Sequence, residues 1–215
     1  MLASLRAAGL TPDPATFERA HYWAMSVLDA PGSPAPRRDN WWISYLTDYV
    51  TACGVTPGSV TEVAAELAGI PTLGWNHVGP GVAAGLRGLA ALGVPLGIVS
   101  NSNGTVEADL RRLGVCQTGD GDGVPVGVVV DSEVAGVAKP DPEIFGIALD
   151  ALGVTASQTV LHVGDSLRYD VTGALAAGLR PVHLDPYGYC PTPSGHEHVT
   201  SLAGVLEDIA GPARR

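Results

Sequence analysis

Thr159-Val160-Leu161-His162-Val163-Gly164-Asp165-Ser166-Leu167-Arg168-Tyr169-Asp170 decides the fold. Apart from His162, the run up to Gly164 is apolar on both faces, as a parallel strand covered by helices on both sides requires. It halts at Gly164-Asp165, and a helical pattern follows over 168–177. The same strand-then-helix unit recurs on either side. Working back, a helix over Pro142–Leu152 has Asp141 to cap it, Pro142 at its first position and Gly153 just beyond its end. Before it come a strand over Val126–Asp131, a helix over 104–113, a strand over Pro95–Ser100 and a helix over 81–92; Pro181–Leu184 is a strand after it. Helices that alternate with apolar strands specify an α/β fold with a doubly wound parallel sheet.

From Thr16 to Leu67 the spacing is helical throughout, with one stripe of Phe17, Ala20, Ala24, Val27 and Leu28 and another of Trp42, Tyr45, Leu46, Tyr49, Val50 and Cys53. Ala30–Arg38 and Pro71–Pro80 are rich in Pro and Gly and interrupt it as loops. We therefore expect a helical module over 1–75 and an α/β core over 76–215. Trp23, Trp41 and Trp42 fall at helical spacing in the first module, where packing inside it is expected.

The chain has 215 residues, 46% of them hydrophobic, enough to bury a core and exclude disorder as the main state. Its net charge of −10 argues against nucleic acid or an anionic membrane as partner. Cys53, Cys116 and Cys190 form no C-x-x-C and suggest neither a disulfide framework nor a thiolate metal site, so a cytoplasmic location is expected. The start of the chain lacks the apolar run of a signal peptide. Gly81–Val99 is apolar except for Arg87, but that charge and the breaks at Gly93 and Pro95 disqualify it as a membrane span.

Ligands of doubly wound sheets sit beyond the carboxyl ends of the strands. The polar residues there are Ser100 and Asn101, Asp131, Asp165 and Asp185. Ser100-Asn101-Ser102-Asn103-Gly104 leads into a helix N-terminus, which favours an anion; a cap by Ser102 or Asn103 accounts for the same residues. Lys139-Pro140-Asp141-Pro142 puts a lysine before the next helix. Asp165 and Asp170 are within reach of a shared hard cation, or Gly164-Asp165 is a capping turn. Jointly, a hydroxyl, a lysine and two carboxylates on successive strand ends favour a functional site.

In that order, Val-Ser-Asn, Lys-Pro-Asp-Pro-Glu-Ile-Phe and His-Val-Gly-Asp-Ser with a later Asp, the chain resembles the haloacid dehalogenase-like (HAD) hydrolases over most of 75–190. Gly-Val-Ala-Ala-Gly-Leu-Arg before the first strand and Asp170-Val-Thr-Gly-Ala after the last motif are similar too, and the helical first third looks like the family's cap. The resemblance implies that Ser100 and the Asn101 backbone N–H bind the transferring phosphoryl group. It also implies that Lys139 neutralises nucleophile and phosphate, that Asp165 and Asp170 hold Mg²⁺, and that the substrate is a small phosphorylated metabolite.

The family's first motif, Asp-x-Asp on a strand ahead of the cap, is not found in the sequence. Asp120-Gly121-Asp122 follows no strand, and Asp131 precedes the lysine motif, so neither is a displaced nucleophile. In the family that strand lies between those corresponding to Pro95–Ser100 and Thr159–Gly164. We expect a longer gene that supplies a strand of about 5–6 residues upstream. The alternative is an inactive binding module in which those two strands pair directly. Three further features read as structural: His162 as a satisfied core histidine, Gly79-x-Gly81-x-x-x-Gly85 as a helix entry without a preceding strand, and His196-Glu197-His198 as a solvated segment lacking a third metal ligand.

Overall fold

A computed structural model of the chain describes residues 5–6, 10–11, 13–33, 41–70, 78–192 and 195–210. It divides into two compact units: Met1–Trp75 with Tyr187–Gly195, and Asn76–Pro186 with His196–Arg215.

The first unit holds helices α1 (Pro14–Asp29), α2 (Trp41–Ala52) and α3 (Val60–Ala68). Asp13 caps α1, its Oδ1 accepting from the Thr16 N–H at 2.8 Å, and Pro14 opens the first turn. The expected stripes supply the core: Ala20, Ala24 and Leu28 are buried on α1, and Tyr45, Leu46, Tyr49 and Val50 on α2. Burial pushes the Tyr49 phenol far up and raises the Cys53 thiol to about 11, so Cys53 is an inert packing residue. The tryptophans behave differently from one another. Trp42 stacks on Tyr45 with centroids 5.4 Å apart, whereas Trp23 is 44% exposed, its ring edge-on to Tyr189. The Trp41 side chain, residues 34–38 of the first expected loop and 71–77 of the second lie outside the described residues. The Tyr187–Gly195 segment, expected in the core, groups with these helices: Tyr187 packs on Tyr22, and the Arg19 guanidinium lies 5.6 Å from the Tyr187 ring centroid.

The second unit runs α4 (Val82–Ala91), β1 (Gly97–Ser100), α5 (Val106–Arg112), β2 (Cys116–Gln117), β3 (Val124–Pro125), β4 (Val128–Asp131), α6 (Ser132–Ala135), α7 (Pro142–Leu152), β5 (Leu161–Gly164), α8 (Thr172–Ala176), β6 (Arg180–Leu184), β7 (Glu197–Val199) and α9 (Leu202–Ala210). All the strand pairs are parallel: β1 with β4, β2 with β3, and β5-β6-β7.

Successive side chains of a strand point to opposite faces, and the apolar runs exploit both. Val99, Val128 and Val130 pack with Ile144, Phe145, Ala148 and Leu149 of α7 and with Ala174 of α8. Ile98 and Val129, one residue out of phase, pack with Leu86 of α4, Val115, Cys116 and Leu202 of α9. On that second face α4 and α9 cross closely. A β-carbon on Gly85 would sit 2.5 Å from the Leu202 β-carbon, so only glycine allows the approach.

Two details depart from the expected elements. The segment expected as one helix over 168–177 begins as a wide π-turn over Leu167–Val171 before α8. Glu197–Val199, expected as a solvated tail, is a strand that extends the sheet beyond β6.

Among the described residues no ladder joins β1 to β5, so the main sheet is two parallel pieces, β1-β4 and β5-β6-β7, beside the separate β2-β3 pair. Both strands are only partly buried along their length, while the three inner residues of β6, which has neighbours on both sides, are buried. No helix among the described residues is long and apolar enough to cross a membrane.

Candidate active site

What joins the two pieces of sheet at their carboxyl edge is a chain of polar side chains. Asn101, directly after β1, makes a reciprocal pair with the backbone of Lys139: the Lys139 N–H donates to Asn101 Oδ1 at 2.8 Å, and Asn101 Nδ2 donates to the Lys139 carbonyl at 3.0 Å. The lysine loop is thereby locked to the end of β1. Lys139 Nζ then reaches Asp170 Oδ1 at 2.6 Å, beyond the end of β5, and His162 Nε2 on β5 lies 2.8 Å from the same oxygen.

Asp170 is the centre of this network. Its other oxygen, Oδ2, accepts from the Ser166 N–H at 3.1 Å, while Ser166 Oγ caps the π-turn by accepting from the Tyr169 N–H at 3.1 Å. The wide turn carries the carboxylate back over Gly164, where a β-carbon would sit 2.1 Å from Asp170 Cγ. Glycine at 164 is therefore a requirement of close approach. Burial pushes the Asp170 carboxyl up, but the Lys139 charge and the hydrogen bond and charge of His162 outweigh it and hold the group well below the usual carboxylate range.

Asp131 plays a supporting part. It pairs in register with Ser100 and is 7% exposed. Its Oδ2 accepts from the Gly104 N–H at 3.0 Å and its Oδ1 from the Glu133 N–H at 3.0 Å, so one buried carboxylate fixes the turns after β1 and β4. Ser100 ends β1 half-buried, and Asp165 follows β5 with its carbonyl 3.3 Å from His183 Nε2.

The structure thus links Asn101, Lys139 and Asp170 directly and sets Ser100 and Asp165 at the strand ends beside them. Sequence reading missed the part of His162, taken for a core histidine. It is largely buried and edge-on to Phe145, yet it also bonds the site carboxylate. Its signal was present: it lies two residues before Gly164, on the face that Asp170 covers.

Parallel ladders with helices on both faces and polar residues gathered at the carboxyl edge define a doubly wound α/β core. The sequence model of the haloacid dehalogenase-like hydrolase family matches residues 40–178. The chain is 33% identical to haloacid dehalogenase-like hydrolase domain-containing protein 3 of Danio rerio over 185 residues, covering 80% of this chain and 71% of that protein. It is 39% identical over 134 residues to the phosphoglycolate phosphatase of Rhodospirillum rubrum, covering 61% of this chain and 49% of that one. Among solved structures, the 2-haloacid dehalogenase of Pseudomonas syringae pv. Tomato superposes with a TM-score of 0.52 at 27% identity, covering 97% of this chain and 88% of that one. The chain belongs to the haloacid dehalogenase-like hydrolase family.

Proposed function

We propose that the chain is the body of a Mg²⁺-dependent phosphatase of small phosphorylated metabolites, whose nucleophilic aspartate arrives on a strand that fits between β1 and β5. The observation that carries this reading is the Asn101–Lys139–Asp170–His162 chain, which holds a buried ammonium at the carboxyl edge where the two ladders stop short of each other. The inner edges of β1 and β5 are half-exposed apolar strands, as edges awaiting a partner are. The direct β1–β5 ladder required of an inactive module is not formed among the described residues. Phosphatase names among the relatives support the substrate class.

In this reading Ser100 Oγ and the Asn101 N–H donate to the phosphoryl oxygens, and Lys139 offsets the charge of nucleophile and phosphate in a partly dry site, where such donors count most. The aspartate attacks phosphorus and the P–O bond to the metabolite breaks as the leaving oxygen takes a proton from the second carboxyl of the Asp-x-Asp motif; water, giving its proton to that carboxylate, then cleaves the acyl phosphate. Asp165 is the oxygen ligand suited to Mg²⁺, which characteristically takes one or two carboxylates and substrate phosphate. When bound, the ion neutralises phosphate charge. Asp170 Oδ1 is taken up by Lys139 and His162, while Oδ2 accepts only the Ser166 N–H and keeps a lone pair with which to join Asp165 at the ion.

The test is a phosphomonoesterase assay of the 215-residue chain and of an upstream-extended chain, with Mg²⁺ and with EDTA. We expect turnover only from the extended chain with Mg²⁺, and a loss of roughly 10²–10³-fold in kcat on Lys139→Met, as for other transition-state donors. Robust turnover by the 215-residue chain overturns the assignment of the nucleophile. A stop codon in frame directly upstream of Met1 overturns the upstream strand.

A further inference from the structure

Three of the chain's six histidines meet where β6 and β7 pair, one strand over from β5, with His183 in register beside Gly164. The parallel register sets His183 of β6 directly beside His198 of β7. His196, two residues before His198, points to the same side by the strand period. Ring centroids are 5.3 Å apart for His183 and His196, 5.2 Å for His183 and His198, and 4.4 Å for His196 and His198. Each offers a ring nitrogen, and these nitrogens lie within 4.8 Å of one another.

We propose that His183, His196 and His198 bind a zinc-class divalent ion that ties β7 to β6. Without an ion the His183 and His196 rings share a hydrogen bond; a cation that displaces its proton takes the ring lone pairs in its place. His183 Nδ1 and His196 Nε2 are 3.3 Å apart. A tetrahedral ion with metal–nitrogen bonds of about 2.0–2.1 Å spaces its ligands roughly 3.3–3.4 Å apart, so this pair already has the edge length of the polyhedron. Imidazole donors select zinc and its transition-metal neighbours over Mg²⁺, which demands oxygen.

The outer partners agree. A ligating histidine uses its other ring nitrogen to bond a carbonyl or carboxylate, which fixes the ring and its tautomer. His183 Nε2 is 3.3 Å from the Asp165 carbonyl, which leaves Nδ1 to face His196. His198 Nδ1 is 3.8 Å from Oδ2 of Asp185, a buried carboxylate, which leaves Nε2 for the cluster. His183 is itself only 4% exposed, so one ligand is anchored in the sheet while the other two come from the edge strand. The expected solvated His-x-His segment lacked a third ligand only because that ligand lies 13 residues upstream, on a neighbouring strand, at His183.

The test is calorimetric titration of the chelator-stripped 215-residue chain with Zn²⁺, alongside Co²⁺ absorption spectroscopy and thermal unfolding. We expect one Zn²⁺ per chain, a rise in Tm, and the visible Co²⁺ bands of a four-coordinate site with three nitrogen donors. His183 is buried and its replacement endangers folding, so His196→Asn and His198→Asn, nearer the surface, carry the test. Each should weaken Zn²⁺ binding by more than the roughly 10–100-fold that loss of an outer partner costs, and Asp185→Asn should fall within that range. Asp165→Asn should leave Zn²⁺ affinity unchanged. No saturable Zn²⁺ binding, binding indifferent to both histidine variants, or binding abolished by Asp165→Asn overturns the proposal.

Discussion

The Lys139–Asp170 pair shows how one buried carboxylate organises this molecule. The two side chains are 11% and 5% exposed, so each depends on the other for its charge. Removing one member of a buried pair strands the other, at a cost of roughly 3–5 kcal/mol. Asp170→Asn should therefore lower the free energy of unfolding at pH 7 by about that amount in urea titrations. The pH dependence follows in sign. A carboxyl held below its ordinary value binds fewer protons folded than unfolded, so its contribution is complete above about pH 4 and is lost as the pH falls from there. The wild-type chain should thus lose stability more steeply below pH 4 than Asp170→Asn does, and equal slopes would count against the ionised pair. Asn101, Lys139 and Asp170 were legible as a set, because each lies in the connection that leads from one strand to the next; His162, inside β5, was not. The bonds among them were not: that Asp170 folds back over Gly164 to meet Lys139 depends on a π-turn that no helical period announces.

At the scale of elements, the caps and strands follow local chemistry. Asp141, Pro142 and Gly153 bracket α7, with the Glu143 N–H donating to Asp141 Oδ1 and Gly153 in the left-handed region at φ 65°. How elements meet follows from side-chain size, and two glycines separate the effects. Gly146, inside α7, has open space where a β-carbon would go, so Gly146→Ala should stabilise by about 0.4–1 kcal/mol through the unfolded chain's lost freedom. Gly85 faces Leu202 at the α4–α9 crossing, where the same change forces the helices apart and should destabilise by roughly 1–3 kcal/mol. Chemical denaturation of the two variants side by side checks both signs. The edge strand β7 is held as well by Arg180, whose Nε donates to Glu197 Oε1 at 3.0 Å and whose Nη2 donates to Asp208 Oδ2 at 2.6 Å. Sequence reading missed β7, because a three-residue strand rich in polar side chains carries no apolar period; its pairing with β6 defines it.

At the scale of the whole molecule, the α/β unit has the layers of a doubly wound fold, and among the described residues no ladder joins β1 to β5. A strand edge without a partner exchanges its amides with solvent readily. Hydrogen exchange should therefore be faster at Gly97–Ser100 and Leu161–Gly164 than at Arg180–Leu184, and an upstream extension that supplies the partner should slow the first two segments while leaving the third unchanged. Equal protection in the two chains would argue against a strand in the gap. The sequence by itself determined the α/β class, the helical first third and the order of polar residues along the carboxyl edge, because periodicity, caps and strand ends are written over a few neighbouring residues. Only the tertiary structure decided which distant groups meet. Asp170 bonds Lys139 and His162, and His183 joins His196 and His198, because strand register and the path of one turn bring together residues that local pattern leaves unrelated.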